Sequence, residues 1–308
     1  MRGRNHTEVK VFILHGLSIH QDVQVPLFAL FLGIYTLTLV GNMIIIMLVW
    51  SEPRLHKPMY IFLGNLSFVE IWYTTSTVPK MLSGLLSKIN YISFNGCFFQ
   101  FYFFFCFGTT ECFLLTIMGY DRYLAICHPL RYNVLMSSRI CSCLAASCWT
   151  FGFIWPLLPI ILVSQMPFCG PNEINHFLCD PGPLLELSCV RYYATEMVIS
   201  VCIALMLLVT FSFTFISYTF IIQTIVKIPS LSGRLKAFST CASHLIVVTI
   251  FFGCVIYMYI RPPGNHPLYM DKIVAVFYTV VTPLLNPVIY TLRNKEVLQV
   301  VKKIMLIP

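Results

Sequence analysis

Two glutamates, Glu70 and Glu111, sit deep inside long runs of apolar residues. An ionisable side chain in such a run is costly and by default functional. Two carboxylates close together at low dielectric cannot both ionise unless a cation joins them. The pair is expected to share a proton, to bind Na+ with help from Asn286, or to do each in a different state. The plain alternative is a structural hydrogen-bond pair. Phe104, Gly108, Glu111, Leu115, Met118 and Arg122 follow alternate spacings of four and three, which keep them on one helix face. At 1.5 Å per residue, Glu111 lies roughly 10 Å from Phe104 and about 16 Å from Arg122 along that face. One stripe therefore joins an aromatic region, an acid and an arginine. His128 and His244 raise metal binding or pH sensing, but His244 reads better as a hydrogen-bonding packing residue. No HisGluXaaXaaHis pattern, phosphate loop, nucleophile elbow or zinc-spaced cysteine pair occurs, so nothing argues for an enzyme.

The elements that must carry these residues are membrane helices. Of the 308 residues, 58% are hydrophobic and 10% charged. Soluble domains carry roughly 25% charged residues, so this chain cannot cover a water-facing surface. Its apolar residues gather in seven runs, at about Pro26–Trp50, Pro58–Leu82, Phe94–Cys127, Ile140–Val163, Met197–Val226, Leu235–Ile260 and Met270–Leu292. Each reaches the roughly 20 residues that span a hydrocarbon core. The Phe101–Phe105 stretch could form a strand, but an open strand edge cannot sit in lipid. The fold class is therefore an all-α seven-helix bundle, with residues 1–25 outside it, 26–292 forming it, and 293–308 a tail. In that tail Val297, Val300, Val301 and Ile304 share a face beside Lys295, Lys302 and Lys303, which predicts a short amphipathic helix on the membrane surface. No signal peptide is recognised, and the first helix is expected to serve as the targeting signal.

The formal charge of +8 is distributed by side. Alternating loops put Arg54, Lys57, Arg122, Arg131, Arg139, Lys227, Arg234, Lys236, Arg293, Lys295, Lys302 and Lys303 together, opposed by Glu52, Asp121 and Glu296. The positive-inside rule then predicts an extracellular N-terminus and a cytoplasmic C-terminus in the plasma membrane. No dense basic patch marks a nucleic-acid surface. Asn5-His6-Thr7 is a glycosylation sequon on the predicted outer side, whereas Asn65-Leu66-Ser67 falls inside a helix. Cys97, Cys169, Cys179 and Cys189 lie at or beyond the outer helix ends, where thiols are expected to pair. Four cysteines allow three connectivities, and spacing alone does not choose.

Six motifs then make the chain specific. They are Gly41-Asn42, Leu55-His56-Lys57-Pro58-Met59-Tyr60, the Met118–Cys127 stretch around Asp121-Arg122-Tyr123, Ser217-Tyr218, the Lys236–Leu245 stretch, and Pro283-Leu284-Leu285-Asn286-Pro287-Val288-Ile289-Tyr290. In this order, and each on its own helix, they resemble the olfactory (odorant) receptors within the rhodopsin-like G-protein-coupled receptors, from about Asn5 to Val297. The resemblance implies Cys97–Cys179 and Cys169–Cys189 disulfides and no cofactor beyond a candidate Na+ at Glu70, Glu111 and Asn286. It implies three partners: a small odorant, a stimulatory heterotrimeric G protein of the olfactory type, and membrane lipid. Asp121, Arg122, Tyr123, Tyr218, His244, Asn286, Pro287 and Tyr290 would carry coupling. The chain departs from most relatives in having Glu70 in place of an aspartate. Cys254 stands where other rhodopsin-like receptors have a mid-helix proline.

By position, a ligand pocket is expected among Phe104, Phe105, Gly108, Thr109, Cys202, Met206, Phe252, Val255, Ile256, Tyr259 and Thr279. These are apolar and aromatic groups with a few hydroxyls, the usual lining of a small-molecule site. No acid falls among them, which disfavours an amine held by a buried carboxylate. Tyr259 is the candidate polar anchor. The expected function is binding a volatile or semi-volatile ligand, activating the G protein and raising cAMP. A chemosensor outside the nose would work identically. A transporter would instead show repeats and broken midplane helices.

Overall fold

The computed structural model describes residues 9–17, 21–168, 172–260, 268–293 and 297. Asn5 and Cys169 lie outside the described residues, as does the expected tail helix apart from Val297. The chain forms a bundle of seven spans. The first three are α1 (Gln21–Ser51), α2 (Pro58–Leu86) and α3 (Phe94–Cys127). After a short α4 (Tyr132–Leu135), the fourth is split into α5 (Ser138–Ile154) and α6 (Leu157–Ser164). A loop helix, α7 (Pro181–Glu186), precedes the fifth span, α8 (Tyr193–Val226), and the sixth, α9 (Leu231–Tyr259). The seventh comprises α10 (Leu268–Val276), a widened π turn (Phe277–Val281) and α11 (Thr282–Arg293).

Local chemistry explains the ends and breaks. Ser93 caps α3 by accepting from the Gly96 N–H, and Ser230 caps α9 by accepting from the Gly233 N–H, both at 3.1 Å. Pro58 opens α2, where a missing N–H costs nothing. The sequence reading gave an unbroken fourth run; the structure interrupts it at Trp155 and Pro156. A proline there removes one helical hydrogen bond and its ring crowds the preceding turn. Pro287 likewise has no N–H for the Pro283 carbonyl, which receives Asn42 Nδ2 at 3.4 Å instead. That bond ties the first span to the seventh.

Six of the spans are long and apolar enough to cross a membrane; α2 falls short. Its polar side chains bond within the helix, as Thr74 does to Glu70 and Thr75 to Ile71. It is also packed against α1, α3 and α5, so less of it must satisfy lipid. Along its apolar stretch α3 is 61% buried, against 22% for α1, which makes α3 the central post of the bundle.

One end of the bundle carries a small sheet that the sequence reading did not anticipate. Strand β1 (Val11–Leu14) pairs antiparallel with β2 (Tyr91–Ser93) and parallel with β3 (Glu173–Ile174), in the order β2-β1-β3. Phe12, fully buried, lies between the rings of Phe94 and Phe168. Lys272 Nζ donates to the carbonyls of His15 and Gly16 and to Asn175 Oδ1 at 2.8–3.0 Å. The Cys97–Cys179 disulfide fixes the loop after the fourth span to the first turn of α3. Gln100 reinforces the tie by accepting from the Cys179 N–H at 3.0 Å and donating to the Ser76 carbonyl at 3.1 Å.

Candidate functional site

Below the sheet, α2, α3, α8, α9 and the π turn border a narrow chamber of about 40 Å³. Its wall is built from Tyr73, Phe104, Phe105, Gly108, Thr109, Cys112, Ile203, Met206, Phe251, Val255, Tyr259 and Tyr278. A second, smaller space of about 20 Å³ adjoins it between α3, the broken fourth span and α8. Phe105, Thr109, Ile203 and Met206 line both. The break at Trp155 and Pro156 forms the side chamber's outer wall, and Trp155 Nε1 donates to the Cys202 carbonyl at 3.2 Å, holding the fourth span against the fifth. Both chambers are almost wholly apolar, as small-molecule sites usually are.

Of the residues expected at a pocket, Phe104, Phe105, Gly108, Thr109, Met206, Val255 and Tyr259 line the main chamber, and Cys202 the side chamber. Phe252, Ile256 and Thr279 line neither. Phe252 packs edge-on against Phe211 and Phe251, and Thr279 donates back to the Ala275 carbonyl at 2.6 Å. Neighbouring helical residues point about 100° apart, so Phe251 faces the chamber and Phe252 does not. Position alone missed Tyr73, Phe251 and Tyr278. Their signal was helical phase: Phe251 and Val255 lie four residues apart on one face of α9.

No acid among the described residues lines either chamber. Asp180, from the loop, is instead buried behind the wall and accepts the Tyr259 hydroxyl at 2.7 Å, while the Tyr278 hydroxyl lies 3.3 Å from that of Tyr259. Burial pushes the Asp180 carboxyl up to about 6, against the lowering effect of bonds from Tyr259 and the Gly182 N–H; Asp271 adds a smaller upward push. In the same loop, burial lowers His176 to about 4, with Lys272 contributing in the same direction. His176 Nδ1 accepts the Leu178 N–H, so the neutral ring carries its proton on Nε2.

One to two turns further along α3, the acidic pair is buried: Glu70 is 0% and Glu111 1% exposed. Asn286 Nδ2 donates to Glu70 Oε1 in a short bond. Glu70 and Glu111 lie within hydrogen-bonding reach of each other, as a shared proton would hold them, and Asn42 Oδ1 and Asn286 Oδ1 are buried beside them without a protein hydrogen-bond partner. Such a cluster of oxygens is also the donor set a hard cation takes. No group of three or more His, Cys, Asp or Glu side chains suited to a metal occurs among the described residues. Amide oxygens would therefore have to complete the shell around the two carboxylates.

At the opposite end an open crevice is lined by Tyr60, Arg122, Lys236, Ser239, His244 and Tyr290, among others. Asp121 holds Arg122 at 3.4 Å and accepts the Tyr132 hydroxyl at 2.7 Å, so the short α4 is fastened to the arginine's neighbour. Tyr218 and His244 share a 2.6 Å hydrogen bond across α8 and α9. Tyr123 meets His128 Nε2 at 3.0 Å and packs its ring beside Phe220. Gly41 lets Pro287 approach, since a Cβ there would lie 3.2 Å from the ring. The motif residues thus gather at two places, with Gly41, Asn42, Asn286 and Pro287 at mid-bundle and Tyr60, Arg122, Lys236, His244 and Tyr290 around the crevice.

A sequence model of the family described as "Olfactory receptor" matches residues 31–307. The chain is 53% identical over 292 residues to olfactory receptor 11G2 of Homo sapiens, covering 95% of this chain and 85% of that one. It is 50% identical to olfactory receptor 11L1 of Homo sapiens, covering 99% and 95%. Olfactory receptor 8U9 of Mus musculus is 48% identical, with 97% and 96% covered. Among solved structures, the crystal structure of squid rhodopsin superposes with a TM-score of 0.72 at 17% identity, covering 92% of this chain and 81% of that one. That likeness concerns the fold.

Proposed function

The chain belongs to the olfactory receptor family, and we propose that it binds a small volatile or semi-volatile organic ligand in the main chamber and activates a stimulatory heterotrimeric G protein, raising cAMP. It is a multi-pass membrane receptor and not an enzyme. One observation carries the reading: a single face of α3 runs from the chamber, at Phe104 and Gly108, past Glu111 to Arg122 in the crevice. A ligand that prefers one packing of α8 and α9 around that post shifts the receptor between states by its differential affinity. The crevice, with Arg122, His244 and Tyr290 on its wall, is the surface offered to the G protein. The charge asymmetry of the loops supports a plasma-membrane orientation with the sheet outside and the crevice in the cytoplasm. The cluster of buried oxygens from Glu70, Glu111, Asn42 and Asn286 supports a bound Na+, with a proton shared by the two acids as the alternative occupant.

A cAMP reporter assay with an odorant panel tests this. Responses that vanish in Arg122→Ala at equal surface expression support it. Solute flux without G-protein dependence would point to a transporter instead.

A further inference from the structure

The main chamber's wall has a built-in polarity. Tyr259 donates its hydroxyl proton to Asp180 Oδ1 at 2.7 Å, and the Tyr278 hydroxyl is 3.3 Å from that of Tyr259. A phenol has one proton. With Tyr259's committed to the acid, the bond between the two phenols must run from Tyr278 to Tyr259. Both protons therefore point away from the chamber, toward Asp180. What Tyr278 and Tyr259 present to a ligand is lone pairs. Asp180 sets this direction because an ionised carboxylate accepts only, and it is 6% exposed, so water does not compete for it. Tyr73 and Thr109 also line the chamber.

We propose that the Asp180–Tyr259–Tyr278 relay makes the chamber selective for ligands whose polar group donates a hydrogen bond, an alcohol or phenol ahead of the aldehyde, ketone or ester of the same skeleton. The selection is by direction of a proton chain and not by pocket size. It rests on the chamber being the odorant site.

The relay can be reversed with one atom. The Gly182 N–H also bonds to Asp180, and in Asp180→Asn that donor holds the amide oxygen. The amide nitrogen then faces Tyr259 and donates to it. Tyr259 must give its proton to Tyr278, and Tyr278 gives its own to the ligand. The variant therefore prefers carbonyl ligands. Tyr259→Phe reaches a similar end by another route: it cuts Tyr278 off from the acid and frees its proton.

The test uses the full-length receptor and a broad odorant panel sorted into matched pairs, such as octanol with octanal, cyclohexanol with cyclohexanone, and benzyl alcohol with benzaldehyde. Half-maximal concentrations are read by cAMP reporter, and ligand-induced melting shifts on purified protein, which needs no G protein. In wild type the donor of each active pair is expected to act at about tenfold lower concentration, the worth of one net hydrogen bond. In Asp180→Asn the order inverts, and in Tyr259→Phe the gap narrows. An alcohol-to-carbonyl ratio that is the same in wild type and both variants, with melting curves showing all three folded, overturns the relay and leaves the odorant reading standing. Silence of the folded wild type to the whole panel in both assays overturns the odorant reading and the relay with it.

Discussion

His176 and Asp180 lie four residues apart in one loop, and burial displaces them in opposite directions. The consequence for stability can be worked out. Asp180 moves from 3.8 up to about 6, which at about 1.4 kcal/mol per pH unit is about 3 kcal/mol. A raised acid binds more protons folded than unfolded between these values, so its burial penalty is present above pH 6 and is relieved as pH falls toward 4. His176 moves from 6.5 down to about 4, again about 3 kcal/mol. A lowered histidine binds fewer protons folded, so its contribution is lost as pH falls over nearly the same window. The two nearly cancel in the wild type. Removing either one exposes the other. Relative to wild type, Asp180→Asn should lose about 3 kcal/mol more at pH 4 than at pH 7, and His176→Gln should gain about as much. On a chain of this length that is roughly 6 °C in melting temperature. Thermal unfolding of purified receptor in detergent, scanned at one rate from pH 4 to 7, reads the difference. Titrations common to all three proteins drop out of the comparison. Profiles that stay parallel across the window would refute the assignment of buried, oppositely displaced groups.

Three further outcomes follow from the same geometry. Replacing Cys97 and Cys179 by serine should cost about 3 kcal/mol, not the larger value for the full 82-residue separation, because the intervening helices stay inserted and only a segment of roughly 15 residues is released; a melting-temperature drop on the larger scale would show that the helices come apart with the loop. Gly152→Ala should cost about 1–3 kcal/mol, since a Cβ there would sit 3.0 Å from the Thr110 Cα and the Thr110 hydroxyl is held on the Cys106 carbonyl; an alanine variant as stable and as well expressed as wild type contradicts that close approach. Glu111→Gln should abolish any Na+-dependent gain in melting temperature and any Na+ effect on basal signalling, whereas identical salt responses in the two proteins rule out the cation.

What could be read from the sequence divides by range. The third span begins and ends where its apolar run does, Phe94 and Cys127, because hydropathy, the Ser93 cap and helix length are all local. The stripe from Phe104 to Arg122 was equally legible, being a matter of phase along one helix. Phase between helices was not, which is why Phe252 was expected where Phe251 stands. The sheet was out of reach for a different reason: β1 pairs with strands about 80 and 160 residues away, and a few residues of alternation do not announce such partners.

Asp180 is the instructive case. As a loop residue with no periodicity around it, it counted only as an acid on the outer side. Yet it follows Cys179, and a disulfide from Cys179 to Cys97 pins that loop over the first turn of α3, directly above Phe101 and Phe105. The next residue must then turn into the bundle or away from it. Pro181, at the head of α7 and on the side chamber's wall, and the Gly182 N–H turn it inward, where Tyr259 supplies the proton that makes burial of a carboxylate tolerable. The same covalent tie that closes the bundle thus delivers a carboxylate to the hydroxyl of a chamber-wall tyrosine. A change in Asp180 should accordingly be felt in ligand preference before it is felt in fold.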